Sequence, residues 1–181
     1  LYARLDGRPL YRHGLECLLA AAGELKEKDR FDVGLILVSQ YRDILEDGKN
    51  LGLETVYNGF SSQGITASLR LGTKAAGEDT DILLFLWRTS YMRGSTVACL
   101  CPRVCRCGYG LGCVKSGERR GNPAAFSRRY RQELLALQGD RGGSVIMKAH
   151  PGDVWTMEVL AEELKDIDLQ EDLRQCPGPR T

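Results

Sequence analysis

Three stretches of the sequence carry residue types suited to phosphates and metal ions. In Ser61-Ser62-Gln63-Gly64-Ile65-Thr66-Ala67-Ser68-Leu69-Arg70 a Ser/Gly loop opens a helix, leaving unpaired amides and hydroxyls for a phosphate or a base edge. No Walker lysine accompanies it, and an ordinary capped helix explains the same pattern. In the second stretch a Gly121-Asn122-Pro123 corner leads through Ala124-Ala125-Phe126, a short buried strand, to Ser127, an N-cap for a helix from Arg128 to Leu137. Gly139-Asp140-Arg141-Gly142-Gly143 follows. Two loops at the ends of one helix could lie over one pocket, with backbone amides and Arg141 offered to an anion; a capped helix with a glycine C-cap accounts for the same residues. In the third stretch Asp166 and Asp168 alternate, so both carboxylates can face one side and hold magnesium between phosphates, or else cap the helix that follows.

Two other groups are weaker. Cys99, Cys101, Cys105, Cys107 and Cys113 form a C-x-C-x3-C-x-C-x5-C cluster. Structural zinc sites favour C-x2-C pairs, so reduced thiols or an abnormal local sequence are the better readings. His13 and His150 have no serine or cysteine partner at a recognisable spacing.

The elements that position these residues alternate. A helix starts at Pro9, with Leu10, His13, Gly14, Cys17, Leu18 and Ala21 on one face, and ends near Gly23. Phe31 to Val38 is a near-continuous apolar run, the pattern of a strand covered on both sides. A helix follows from about Tyr41 to Leu51, then a strand at Glu54 to Tyr57, a helix from Ile65 to Ala76 and a buried strand at Asp81 to Leu86. Further on, Gly94 to Leu100 begins a helix, Gly112 to Lys115 is a strand, Ser144 to His150 a helix and Val154 to Val159 a strand. On the helix after Ser127, Tyr130, Leu134 and Leu137 fall at i, i+4 and i+7, an apolar face that leaves Arg128, Arg129, Arg131 and Gln132 outside. Strands alternating with helices predict an α/β fold, a Rossmann-like, mostly parallel sheet flanked by helices, whose ligands bind at the C-terminal ends of the strands.

The 181 residues suit one domain, spanning 1–175, with 176–181 a disordered tail. Twenty-five basic and 24 acidic residues are interspersed and leave a net charge of +1. That balance points to a small soluble ligand rather than to nucleic acid or a membrane surface. No apolar run reaches the roughly 20 residues of a membrane span and no signal peptide is evident, so the expected location is cytoplasmic.

The chain resembles the nucleotidyltransferases of the molybdenum-cofactor branch, MobA-like domains of the cytidylyltransferase type with a nucleotide-diphospho-sugar-transferase-like core. Four motifs carry the resemblance, in family order: Leu5-Asp6-Gly7-Arg8-Pro9-Leu10-Tyr11-Arg12-His13; Ser61 to Gly72; Arg120 to Ser127 with Gly139 to Gly143; and Asp166 to Leu173. The resemblance implies transfer of a nucleoside monophosphate, CMP from CTP or the GTP equivalent, to the phosphate of molybdopterin with Mg2+, the product passing to a molybdenum hydroxylase. It implies nucleotide contacts from Asn58, Gly64, Ser68 and Arg70, acceptor contacts from Gly121, Asn122, Asp140 and Gly142, and metal contacts from Asp166 and Asp168. A sugar phosphate as acceptor, or a non-catalytic pterin-binding accessory protein, are the alternatives.

Two departures stand out. Family members open with an apolar strand and a Gly-rich loop ending in lysine that wraps the triphosphate, so the expectation for this sequence, read from Leu1, is a sheet without that central strand. Where an Asp-Gln-Pro-like turn is usual, this chain has Trp87-Arg88-Thr89-Ser90-Tyr91-Met92, and the cysteine-rich stretch stands where an ordinary helix is usual.

Overall fold

The computed structural model describes residues 2, 4, 5, 7–87 and 93–164. Near the N-terminus, β1 (Arg4–Leu5) and β2 (Arg8–Pro9) pair antiparallel around Gly7, a hairpin that periodicity does not reveal. Pro9 immediately precedes α1 (Leu10–Asp29). This helix runs through Gly23, its predicted end, because the next turn still has apolar surface to cover: Leu25 is buried with Ala21 against Val97 and Ala98. It stops where Arg30 turns left-handed, at φ 56°.

The remaining elements follow the predicted order: β3 (Ile36–Ser39), α2 (Arg42–Asn50), β4 (Glu54–Tyr57), α3 (Ile65–Ala75), β5 (Ile82–Phe85), α4 (Gly94–Arg106), β6 (Leu111–Ser116), β7 (Arg119–Ser127), α5 (Arg131–Ala136), α6 (Ser144–Ala149) and β8 (Val154–Glu158). The α/β class read from the sequence is the one observed. Of the apolar run from Phe31, only Ile36–Ser39 is ladder; β3 pairs parallel with β4 and these two strands form their own sheet. A second sheet has the order β5-β7-β6-β8, with β7 antiparallel to both neighbours and β6 parallel to β8.

Alternation along β7 sets the two layers on this second sheet. Phe126, fully buried, faces Leu69 of α3, Leu134 of α5 and Ile146 and Met147 of α6. Ala125, on the opposite face, meets Leu100 and Val104 of α4. The cysteine-rich stretch is thus a packed helix, in which Leu100 is 0 % and Val104 2 % exposed. Burying a side chain such as Phe126 contributes about 1.5–3 kcal/mol.

Two local expectations around β7 are corrected. Gly121-Asn122-Pro123 is not a corner between elements but a bulge inside the strand: Cys113 pairs with Ala124 and Val114 with Gly121, so Asn122 and Pro123 have no opposite residue. Ser127 does not cap a continuous helix. A 3-10 turn, Arg128–Tyr130, intervenes, the Ser127 hydroxyl is buried without a partner, and Arg131 is carried inward to 8 % exposure.

That turn is held from below by Asp153. Its carboxylate accepts hydrogen bonds from the Gly110 amide at 3.0 Å, from the Tyr130 hydroxyl and from Arg129. Burial works against its charge, but these donors outweigh it and hold Asp153 below the ordinary carboxylate range. Burial, with the bond to Asp153, pushes the Tyr130 phenol up to about 12.

Candidate active site

Strand β4 ends in Tyr57, and the chain turns sharply at Asn58, which is 3 % exposed. The Asn58 side-chain carbonyl accepts the Phe60 amide at 2.9 Å, and its NH2 group donates to the Ser68 hydroxyl at 3.0 Å. One buried amide therefore ties the loop after β4 to the first turns of α3. Ser61 adds a hydrogen bond across to Gln40, just beyond β3.

The helix itself begins on Gly64, at φ +79°. A Cβ there would lie 2.1 Å from Asp140 Oδ1, so only glycine lets the Asp140 carboxylate reach the helix end, where it accepts the Ile65 amide at 2.8 Å. The N-terminus of α3, which favours negative charge, thus already holds a carboxylate delivered from the loop after α5. That loop is pressed down by its glycines. Gly142 adopts φ +60° against Ile65, and a Cβ on Gly143 would meet the Phe126 ring at 2.4 Å. Gly121 is small for a comparable reason, since Leu164 packs where its Cβ would be.

These loops enclose one end of a cavity of about 1860 Å³. Asn58, Gly64, Ser68, Gly121, Asn122, Asp140 and Gly142 all line it, so the residues expected at the nucleotide and those expected at the acceptor share one space. Arg70 is absent from this lining; it is exposed and borders a smaller recess of about 480 Å³ on the other side of α3. Asp166 and Asp168, expected at the metal, lie outside the described residues, as does 88–92 of the unusual Trp87-to-Met92 sequence. Besides Arg141, whose suitability for an anion its motif already suggests, Arg120 and Lys148 line the cavity. The sequence holds a signal for both, as Arg120 directly precedes the Gly-Asn-Pro motif and Lys148 lies one helical turn beyond Ser144.

The chemistry available is electrostatic. Arg120, Arg141 and Lys148 border the cavity with a helix N-terminus and several hydroxyls, groups that offset phosphate charge without covalent participation, while Asp32, Glu54, Glu78, Asp79, Asp81 and Asp140 line it as well. Magnesium usually needs only one or two carboxylates besides the phosphates of its substrate. Among the described residues no group of three His, Cys, Asp or Glu side chains is placed to hold a metal ion. Asp140 alone at the polar end is compatible with the sparser mode. Cys99, Cys101 and Cys105 lie on α4, Cys107 follows it and Cys113 is in β6. No described helix is long and apolar enough to cross a membrane.

A parallel β3-β4 pair and a mixed sheet, flanked by helices, with a cavity that reaches the loops after β3 and β4, have the nucleotide-diphospho-sugar-transferase-like class of fold. Within it, the chain belongs to the MobA-like NTP transferase domain family, whose model matches residues 1–154, and is thereby a nucleotidyltransferase. Among solved structures it is similar to a nucleotidyl transferase from Methanothermobacter thermautotrophicus, with a TM-score of 0.76 at 20% identity over 97% of this chain and 82% of that one. It is also similar to a CMP:2-keto-3-deoxy-manno-octonic acid synthetase complexed with CTP, with a TM-score of 0.70 at 12% identity over 96% and 88%. Molybdopterin-guanine dinucleotide biosynthesis protein A from Archaeoglobus fulgidus gives a TM-score of 0.65 at 13% identity over 97% and 87%. These likenesses speak for the fold. No curated protein sequence gives a significant match.

Proposed function

We propose that this chain transfers CMP from CTP to the terminal phosphate of molybdopterin in the cavity between α3 and the Gly139–Gly143 loop. An oxygen of the pterin phosphate attacks the α-phosphorus; that P–O bond forms as the bond from the α-phosphorus to the bridging oxygen breaks, and pyrophosphate leaves with the electron pair. The observation that carries the reading is the Asp140–Ile65 hydrogen bond of 2.8 Å, which joins the predicted acceptor loop to the predicted nucleotide helix 75 positions away. Asn58 holds Ser68 at the cavity wall, and Arg120, Arg141 and Lys148 offset phosphate charge there. Gly121, Asn122 and Gly142 form the acceptor side, while Arg70 contributes only at the outer recess. Mg2+, with Asp166 and Asp168 as its protein ligands, would supply further charge neutralisation on the phosphates.

The choice of CTP draws on the likeness to a CTP-complexed synthetase, and the pterin on the motifs from Arg120 to Gly143 together with the MobA-like family. That synthetase also favours a second reading, in which the acceptor is a sugar acid or sugar phosphate. Pyrophosphate release measured with CTP or GTP, Mg2+ and either molybdopterin or a panel of sugar phosphates separates these. The expected result is release that requires CTP and molybdopterin together. Release with a sugar phosphate alone, or calorimetric binding of molybdopterin with no nucleotide binding, would overturn it, the latter in favour of an accessory pterin-binding protein.

A further inference from the structure

The loop after β4 and the second turn of α3 meet through two hydrogen bonds whose directions can be read. A backbone N–H can only donate, so the atom of Asn58 that the Phe60 amide reaches at 2.9 Å is the side-chain oxygen. The NH2 group then points the other way, to the Ser68 hydroxyl at 3.0 Å. The two ends of a side-chain amide are assigned from the hydrogen bonds around them. Here the assignment is fixed by a neighbour that has one role only, and Asn58 is buried, so the orientation is held.

The consequence passes to Ser68. A hydroxyl carries one proton and two lone pairs, and an amide NH2 accepts nothing, so Ser68 Oγ accepts from Asn58 and keeps its own proton for another atom. In helices a serine or threonine can give that proton to the carbonyl four residues back. Thr73, in the same helix, does so, donating to Leu69 at 2.7 Å. Ser68 does not: among the described residues the bond from Asn58 is the only one its hydroxyl makes. Ser61 and Ser144, which also border the cavity, give their protons to Gln40 and to the Arg141 carbonyl. Ser68 is half-buried and lines the cavity, so the cavity is the space open to its proton.

We propose that Asn58 is a positioning residue that presents Ser68 to the cavity as a hydrogen-bond donor, matched to an acceptor atom of the nucleotide: a carbonyl oxygen, an unprotonated ring nitrogen or a phosphate oxygen. Asn58 acts through Ser68 rather than by touching the nucleotide. A ligand atom that can only donate leaves the Ser68 proton unpaired, which is costly in a half-buried place. The inference rests on the nucleotide reading above and sharpens it. It also says what would reverse the polarity. A carboxylate in place of the Asn58 amide accepts from both Phe60 and Ser68, so the hydroxyl proton turns inward and only lone pairs face the cavity.

The test is a double-mutant cycle on CTP affinity, measured by calorimetry near neutral pH for the parent, Ser68→Ala, Asn58→Asp and the pair together. Ser68→Ala is expected to weaken CTP binding roughly three- to tenfold. Asn58→Asp is expected to weaken it further, since a new negative charge adds to the lost donor. With Ser68→Ala already in place only the charge is left to act, so Asn58→Asp is expected to cost at least about threefold less there than in the parent. Equal costs in the two backgrounds would overturn the inference. Tripolyphosphate measured beside CTP locates the acceptor: a Ser68→Ala loss shared by both puts it on a phosphate, and a loss confined to CTP puts it on the base or ribose, either of which supports the donor role. Should Asn58→Asp fail to fold, the ligand-free parent carries the test. By NMR the Asn58 NH2 protons are expected to exchange slowly with solvent, and Ser68→Ala to speed that exchange by about threefold or more; unchanged exchange sinks the proposed polarity. A parent that binds neither CTP nor GTP overturns the nucleotide reading and leaves the amide exchange to decide the Asn58–Ser68 polarity. Nucleotide binding that Ser68→Ala leaves unchanged overturns this inference alone.

Discussion

The sheet β5-β7-β6-β8 and the pair β3-β4 come from similarly apolar sequence, yet they are packed very differently. In the first, Leu111, Val114, Ala125 and Phe126 are fully buried, and helices cover both faces. In the second, all four residues of β3 remain partly exposed although they close the most continuous apolar run in the chain. Apolar sequence specifies that a strand is to be covered; whether it is covered depends on what stands at its edges. The half with a neighbour on each side of β7 achieves the burial its composition predicts, and the half that borders the cavity does not.

The contrast predicts unequal costs for truncating side chains. Phe126→Ala is expected to lose about 3–5 kcal/mol in chemical denaturation, as for other buried aromatics, whereas Val38→Ala is expected to lose no more than about 1 kcal/mol. Equal costs would mean that β3 is as well packed as β7, and would erase the difference between the halves.

A smaller effect is expected at the latch beneath the well-packed half. Asp153→Asn removes a carboxylate that accepts from Gly110, Tyr130 and Arg129, and about 1–2 kcal/mol should be lost near neutral pH. The folded pKa of Asp153 lies below its unfolded value. Its contribution is therefore complete above the ordinary carboxylate range and is lost as pH falls through the lowered folded value. Stability measured against pH should consequently fall less steeply in acid for Asp153→Asn than for the parent. An unchanged slope would place the acid sensitivity elsewhere.

The smallest effect concerns α3, the helix that both halves share. Arg70→Ala should change stability by less than about 0.5 kcal/mol, because the side chain is exposed on the face turned from both sheets. Nucleotide binding, measured by calorimetry, should change little as well; a loss of tenfold or more would bring the outer recess into the site.

Arg70 also separates what local sequence encodes from what the tertiary fold decides. Most elements were legible, because turn residues and apolar periodicity act locally. Ser68 and Arg70 sit in one motif, but two positions along a helix is a rotation of about 200°, so a motif read as a line divides between two faces. Gly23 shows the same limit for an element boundary: a local helix breaker was overridden by the tertiary burial of Leu25. The bulge at Asn122-Pro123 and the inward Arg131 depend on the register between β6 and β7 and on the tight turn after Ser127, neither of which local signals encode. The resemblance assigns the Ser61–Arg70 and Gly139–Gly143 segments to the two substrates of one reaction. The hydrogen bond that joins them could not be anticipated, since it requires a Cβ-free approach at Gly64 that depends on the folded loop.

Open strand edges are the usual templates for aggregation, because any second molecule with an edge of its own can extend the sheet. The edges of β3 and β5 that border the cavity are not of that kind. Residues of α1, α3 and α4 border the same cavity, so the chain's own helices stand beside these edges. Covering of this kind, by the chain's own helices, is one of the ways folded proteins keep an open edge from pairing with a neighbour.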